Sequence, residues 1–329
     1  MKRLSAKIVC AAVTLAMALV PIHRAFAQSA AAAPEKVILD TDIGDDIDDA
    51  FALALLLSSP NVQLLGVTTA WGDTDLRARL VARFLAETGH ADIPVAAGPA
   101  THASSTFSQR RYAEGYPDRK WGNGASFILD EARRYPGEIT LVGIAPFSTV
   151  GAAIDADPAA FRQLKRVVIM GGSIHRGYGD LGYLPDRGPE PEYNIYSDIP
   201  SARKLFAAGV PLDVMPLDST QLKLDEVLRA TLFSQGTRTT NALSELYEQW
   251  TASTGSPTPT LFDAMAAAYV LDPSLCPTQP MRIRIDDQGY TRVEPGAPNA
   301  NVCLDSDSDR FFHFYMRTVL GESEPAASR

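Results

Sequence analysis

Continuous apolar runs alternate with helix-period stretches along most of the chain. Lys36 to Leu39 reads as a strand and Asp49 to Leu57 as a helix, which Ser58-Ser59-Pro60 closes. Asn61 to Thr69 follows as a second strand, and its unbroken apolar centre suits a sheet covered on both faces. Asp75 to Glu87 sets Leu76, Leu80, Val81, Phe84 and Leu85 at helical spacing, with Gly89 as the C-cap. Ile93 to Ala96 is a third strand, and the pattern is then lost from Gly98 to Gly124. It resumes as helix 126–135, strand Ile139 to Ile144, a short helix after Pro146 and strand Arg166 to Met170. A second irregular segment, Gly171 to Glu192, precedes helix 199–208 and strand Leu212 to Met215.

Helices are predicted over 222–231, 239–253, 261–271 and 309–320. Between the last two, Met281 to Ile285 and Tyr290 to Val293 form a small peripheral hairpin across Asp287-Gln288-Gly289. The alternation predicts an α/β fold, an open and mostly parallel sheet with helices on both faces. No linker interrupts it, so residues 36–321 are expected to be one domain.

In such sheets ligands bind beyond the carboxyl ends of the strands. The first strand runs there into Asp40-Thr41-Asp42-Ile43-Gly44-Asp45-Asp46-Ile47-Asp48-Asp49, six carboxylates in ten residues. Like charges packed this closely raise one another's pKa unless a cation neutralises them. Oxygen donors with no Cys or His nearby suit a hard cation, Ca²⁺ or Mg²⁺, and the spacing is not that of an EF-hand. The bland reading is an acidic helix start that complements the helix dipole, but six carboxylates exceed what a cap requires. Gly72-Asp73, Pro146 with Ser148, and Gly171-Gly172-Ser173 mark further strand ends facing the same pocket.

Charge and leader narrow the function classes. Lys2, Arg3 and Lys7 precede an apolar run from Ile8 to about Ile22, and Ala25-Phe26-Ala27 follows. This is the layout of a secretory signal peptide over residues 1–27, cleaved after Ala27, with a retained anchor as the alternative. Residues 28–35 form a linker and 322–329 a frayed tail. Loss of the leader's four positive charges takes the formal charge from −9 to about −13. That balance excludes a basic footprint for nucleic acid or for an anionic membrane. Cleavage also removes Cys10 and leaves Cys276 and Cys303, as a disulfide or as two buried thiols.

Asp40 to Gly44 with Val37-Ile38-Leu39 before it and Asp48-Asp49-Ala50 after it resembles the N-terminal signature of the calcium-dependent nucleoside hydrolases, the inosine-uridine-preferring N-ribohydrolase family. The resemblance continues in order through Gly66-Val67-Thr68-Thr69, Thr140 to Gly151, Val167 to Gly172, Glu192-Tyr193-Asn194 and Phe262-Asp263-Ala264. The Asp-x-Asp opening also resembles haloacid-dehalogenase-type phosphatases, which expect Thr or Val where Gly44 stands.

The family resemblance implies hydrolysis of a ribonucleoside to ribose and base, with Ca²⁺ as cofactor. It implies that Asp42 contacts the metal and is the general base on a metal-bound water, and that Asp49, Asp263 and the Ser148 carbonyl are further ligands. Asp48, Glu192 and Asn194 correspond to ribose contacts, Met170 to a methionine under the sugar, and Asp73 to a position where many members carry Asn. Homodimer and homotetramer are the assemblies in question. Two departures stand out. The acidic loop is two residues longer than the short family version, so Asp45 or Asp46 competes with Asp48 for the ribose or metal contact. Phe262 replaces the histidine that protonates the leaving base, a role for which Trp250, Tyr247, His102, His175 or the 98–124 loop come into question. The rivals are another metal-assisted hydrolase, such as a phosphatase, and a periplasmic ribose- or nucleoside-binding protein without turnover.

Overall fold

Strand β1, Glu35–Thr41, lies at the centre of the sheet in a computed structural model that describes residues 33–102, 105–179 and 187–321. The leader, most of the linker and the tail fall outside the described residues. From Ala33 onward the chain forms one compact unit.

On one side of β1 lie β2 (Val62–Thr69), β3 (Val95–Ala97) and β4 (Gly122–Asn123). On the other lie β5 (Ile139–Gly143), β6 (Arg166–Met170), β7 (Leu212–Met215) and, beyond them, β11 (Ala300–Cys303) and β8 (Thr278–Met281). All pairings in this nine-stranded sheet are parallel except the outermost, β11 with β8. β9 (Ile283–Ile285) and β10 (Thr291–Val293) make a separate antiparallel hairpin.

Alternate strand residues feed two cores, as the pleat requires. Val37, Leu39, Val142 and Val168 face the helices 48–58, 74–88, 238–254, 262–271 and 308–320. Ile38, Leu141, Val167 and Ile169 face helices 124–134, 148–156 and 199–207 and the β9–β10 hairpin. The helix Asp48–Ser58 has nine consecutive buried residues from Asp48 to Leu56, all round its circumference, because it is enclosed between the sheet and neighbouring helices. Among the described residues no helix is long and apolar enough to cross a membrane.

The irregular segment 98–124 holds a helix, Arg110–Glu114, and the two-residue strand β4 at the sheet edge. Both are too short to impose a period on the sequence. β8 and β11 were not expected as sheet members, and the helix expected over 222–231 runs from Glu226 to Phe233 instead, capped by Asp225. The hairpin lies where expected, with shorter strands.

Cys276 and Cys303 form a disulfide, with Cα atoms 5.6 Å apart, that ties the entry to β8 to the end of β11. A bond closing a loop of 27 residues contributes about 3–4 kcal/mol through the unfolded chain. A Cys276→Ser/Cys303→Ser double variant should lose stability on that scale, read as a lower urea midpoint, with an m-value that rises because the unfolded chain loses its cross-link. A midpoint within error of the parent would refute this.

Candidate active site

The end of β1 turns into an acidic loop braced by a buried arginine. Arg77, 1% exposed, reaches in from the helix Thr74–Thr88. Its Nη1 donates to the carbonyl oxygens of Asp42 and Ile43 (3.1 Å for the latter), its Nε to the Trp71 carbonyl at 2.7 Å, and both Nη groups to the Asp45 carboxylate at 3.1 and 2.9 Å. This bidentate fork uses the geometry that distinguishes Arg from Lys. Gly44 takes φ +126°, and a Cβ there would lie 2.3 Å from the Phe107 ring. Glycine thus serves both the backbone turn and the close approach.

The segment 105–109 clasps the loop from outside. Ser108 Oγ donates to the Asp45 carbonyl at 2.6 Å, Gln109 Nε2 to the Asp46 carbonyl at 2.6 Å, and Ser105 Oγ to the Asp45 carboxylate.

Beyond the loop, Asp48 and Asp49 occupy the first turn of the helix Asp48–Ser58. Asp263 occupies the first turn of the helix Phe262–Leu271 packed beside it. Helix N-termini favour negative charge, and two of them here direct three carboxylates to one point. The ligating oxygens of Asp48, Asp49 and Asp263 all lie within 4.8 Å of one another, and the three residues are at most 4% exposed. Thr41 Oγ1 donates to Asp49, and Asp48 Oδ2 accepts from the Asp263 backbone N–H at 3.2 Å.

Burial raises all three carboxyls well above their ordinary values, and mutual repulsion adds to it. Asp42 is pushed up to about 7 by burial, with Arg77 opposing and Asp45 and Glu192 reinforcing. A folded chain with raised carboxyl pKa values binds more protons than the unfolded one. Without a cation, therefore, stability falls as pH rises from the unfolded value near 4 through the raised value of Asp42 at about 7. A hard divalent cation reverses this by compensating the charge, and an all-oxygen donor set fits it.

Opposite the carboxylates, Glu192 caps the helix Tyr193–Ser197. Its Oε1 accepts from Asn194 N at 2.9 Å, and its Oε2 accepts from Gly172 N at 2.9 Å and Ile195 N at 3.1 Å. Burial raises its pKa to about 7 against those bonds. Asn194 Nδ2 donates to the carbonyls of Ile144 and Met170 at 3.2 and 3.1 Å, which leaves its Oδ1 to meet a ligand.

Asp42, Asp46, Asp48, Asp49, Met170, Glu192, Asn194 and Asp263 line one cavity of about 490 Å³, together with Trp250 and Phe262. Two expected residues are not on its wall. Asp73 is exposed and caps the helix Thr74–Thr88 by accepting from Leu76 N at 3.0 Å. Ser148 lies buried at the head of the helix Ser148–Ala156, where its Oγ accepts from Trp71 N at 3.2 Å. His102 and His175 are exposed and do not line the cavity. Asp218 holds the backbone N–H groups of Ile174 and His175 at 2.8 Å each, a structural role.

Sequence reasoning passed over Tyr178, which lies in an irregular segment with no period to mark it. Its ring meets Phe262 edge-on at 6.1 Å, and its hydroxyl accepts from Tyr193 N at 2.9 Å and donates to Glu192. Burial raises the phenol's pKa, so it stays protonated. A larger open groove of about 1040 Å³ beside the β9–β10 hairpin holds Arg203 and Arg284, paired with Asp287 and Glu294, and no cluster of ligating groups.

Residues 37–313 match the profile of the family described as inosine-uridine preferring nucleoside hydrolase. The chain belongs to this family of enzymes. It is 29% identical over 291 residues to uridine nucleosidase 1 of Arabidopsis thaliana, covering 81% of this chain and 84% of that one. It is 34% identical over 200 residues to an uncharacterized protein of Schizosaccharomyces pombe, over 56% of this chain and 62% of that one, so the match spans less than two thirds of the yeast protein. A solved purine-preferring ribonucleoside hydrolase from Gardnerella vaginalis shares the nucleoside hydrolase fold with a TM-score of 0.74 at 23% identity, over 87% of this chain and 98% of that one.

Proposed function

We propose that the protein hydrolyses the N-glycosidic bond of a ribonucleoside in a Ca²⁺-dependent reaction. The observation that carries the reading is the meeting, across one cavity, of three buried carboxylates with the Glu192 and Asn194 pair. Asp48, Asp49 and Asp263 would hold the cation, with Asp42 beside them. Asp48 thus joins the ligand set in this proposal, and neither Ser148 nor Asp73 takes part. When bound, Ca²⁺ neutralises the carboxylates and acidifies a water.

Asp42, held by Arg77 through its backbone, takes the proton as general base. Glu192 and Asn194 fix the ribose hydroxyls in a dry wall, and contacts that strengthen as the sugar approaches an oxocarbenium-like state favour the transition state over the ground state. Phe262 offers no proton to the departing base. Tyr178 keeps its proton close by and is committed to Glu192.

Release of reducing sugar from uridine and inosine, measured in Ca²⁺ and again in excess chelator, tests the reading. Turnover should vanish with chelator and return with Ca²⁺. Tight nucleoside binding without sugar release would instead mark a binding protein, and phosphate release from nucleotides a phosphatase. The signal-like leader and the disulfide support export to the periplasm or the medium. N-terminal sequencing of the mature protein should begin at Gln28, and an intact Met1 would overturn export with cleavage.

A further inference from the structure

The two residues by which the acidic loop is lengthened point different ways. Asp45 is committed to Arg77 and Ser105. Asp46 is not. Its Oδ1 accepts from Ile47 N at 2.7 Å, its carboxylate also accepts from the Trp250 side chain, and it keeps solvent access through the mouth of the cavity it lines.

Trp250 is 5% exposed and belongs to the cavity wall, backed by the Tyr247 ring at 6.0 Å, which in turn packs on Phe233 at 5.3 Å. The hydrogen bond from Trp250 to Asp46 therefore fixes an aromatic ring and an anionic acceptor side by side. Ser253 and Thr254 continue that wall.

Neither of the other two ligand moieties needs Asp46. The cation has Asp48, Asp49 and Asp263, and the ribose has Glu192 and Asn194. What remains of a nucleoside is a flat ring carrying N–H donors on its outer edge, and it suits an aromatic surface beside an acceptor.

Resting on the nucleoside hydrolase reading, we propose that Asp46 is the residue that reads the base: positioned by Trp250, it accepts a hydrogen bond from an edge N–H of the base, so the substrates are nucleosides that keep such a donor. A carboxylate accepts and never donates when ionised, and each oxygen takes more than one hydrogen bond, so the Ile47 and Trp250 bonds leave acceptor capacity free. A site built to meet a donor rejects an analogue lacking it more strongly than a merely apolar pocket would.

The test compares kcat/KM for uridine, 3-methyluridine and 4-nitrophenyl β-D-ribofuranoside, whose leaving group has no N–H, in wild type, D46A and D46L. Wild type should prefer uridine over 3-methyluridine by about tenfold or more. In D46A, and in the similarly bulky but apolar D46L, whose side chain accepts nothing, the preference should shrink to below about threefold. Uridine should also lose ground to the nitrophenyl riboside in both variants. A wild-type preference near unity would overturn the proposal without any variant. Survival of the preference in D46L would assign it to bulk, and parallel loss on all three substrates would make Asp46 a ribose or metal contact; either outcome overturns it. If only inosine is turned over, inosine and 1-methylinosine replace the uridine pair; if neither uridine nor inosine is, the hydrolase reading fails separately, and equal Kd values for each nucleoside and its N-methyl analogue would then overturn base reading too.

Discussion

Asp42→Asn should lower kcat by about 10³-fold while leaving the fold intact, because the amide keeps the shape and cannot take the proton. Asp42 is nearly buried at the end of β1, its backbone carbonyl held by Arg77 and its carboxyl raised to about 7 without a cation. Only the ionised form is a base. The parent's kcat/KM should therefore rise with pH through the Asp42 pKa, which a bound cation lowers from that value. The variant's melting temperature should match or exceed the parent's, since one member of a repelling group has been neutralised. Steady-state kinetics with a melting curve on the same preparation checks both. Near-normal turnover would remove Asp42 from the role of base.

Arg77→Met should cost about 3–5 kcal/mol of stability, because it leaves Asp45 and the carboxylates behind it without their buried counter-charge. Arg77 also supplies the donors for three backbone carbonyls, of Asp42, Ile43 and Trp71, which methionine would leave unsatisfied. Adding Asp45→Asn to Arg77→Met should recover part of the loss, since it removes the unpaired charge and not the carbonyl defect. Urea unfolding of the two single variants and the double variant measures the coupling. Additive losses would show that the Arg77–Asp45 pair contributes nothing as a pair. Arg77→Lys should fall between, because an ammonium cannot reproduce the fork.

The central architecture could be read from the chain because local and global signals agree there. β1 and β6 are buried on both faces and carry the unbroken apolar runs Val37–Leu39 and Val167–Met170, β2, β5 and β7 are mostly apolar, and the amphipathic helices 74–88 and 308–320 show their period plainly. Where an element is only two to four residues long, as β4, β8 and β11 are, neighbouring strands decide its conformation and no local pattern announces it.

The candidate site divides along the same line. By itself the sequence determined that a block of carboxylates stands at the carboxyl end of the first strand and calls for a hard cation, since charge density and oxygen chemistry are local properties. That Asp263, 215 residues beyond Asp48, closes the cluster had no local signal; the order of motifs in the family resemblance suggested it, and the packing of two helix N-termini places the oxygens together. Only the tertiary structure decided how the loop's acids divide. Asp45 goes to Arg77, Asp46 to Trp250, and Asp48 to the cluster with Asp49 and Asp263. The physical reason is that a carboxylate's role follows from which donor or charge reaches it. Arg77 and Trp250 reach theirs across 32 and 204 positions of chain, a proximity that only folding creates.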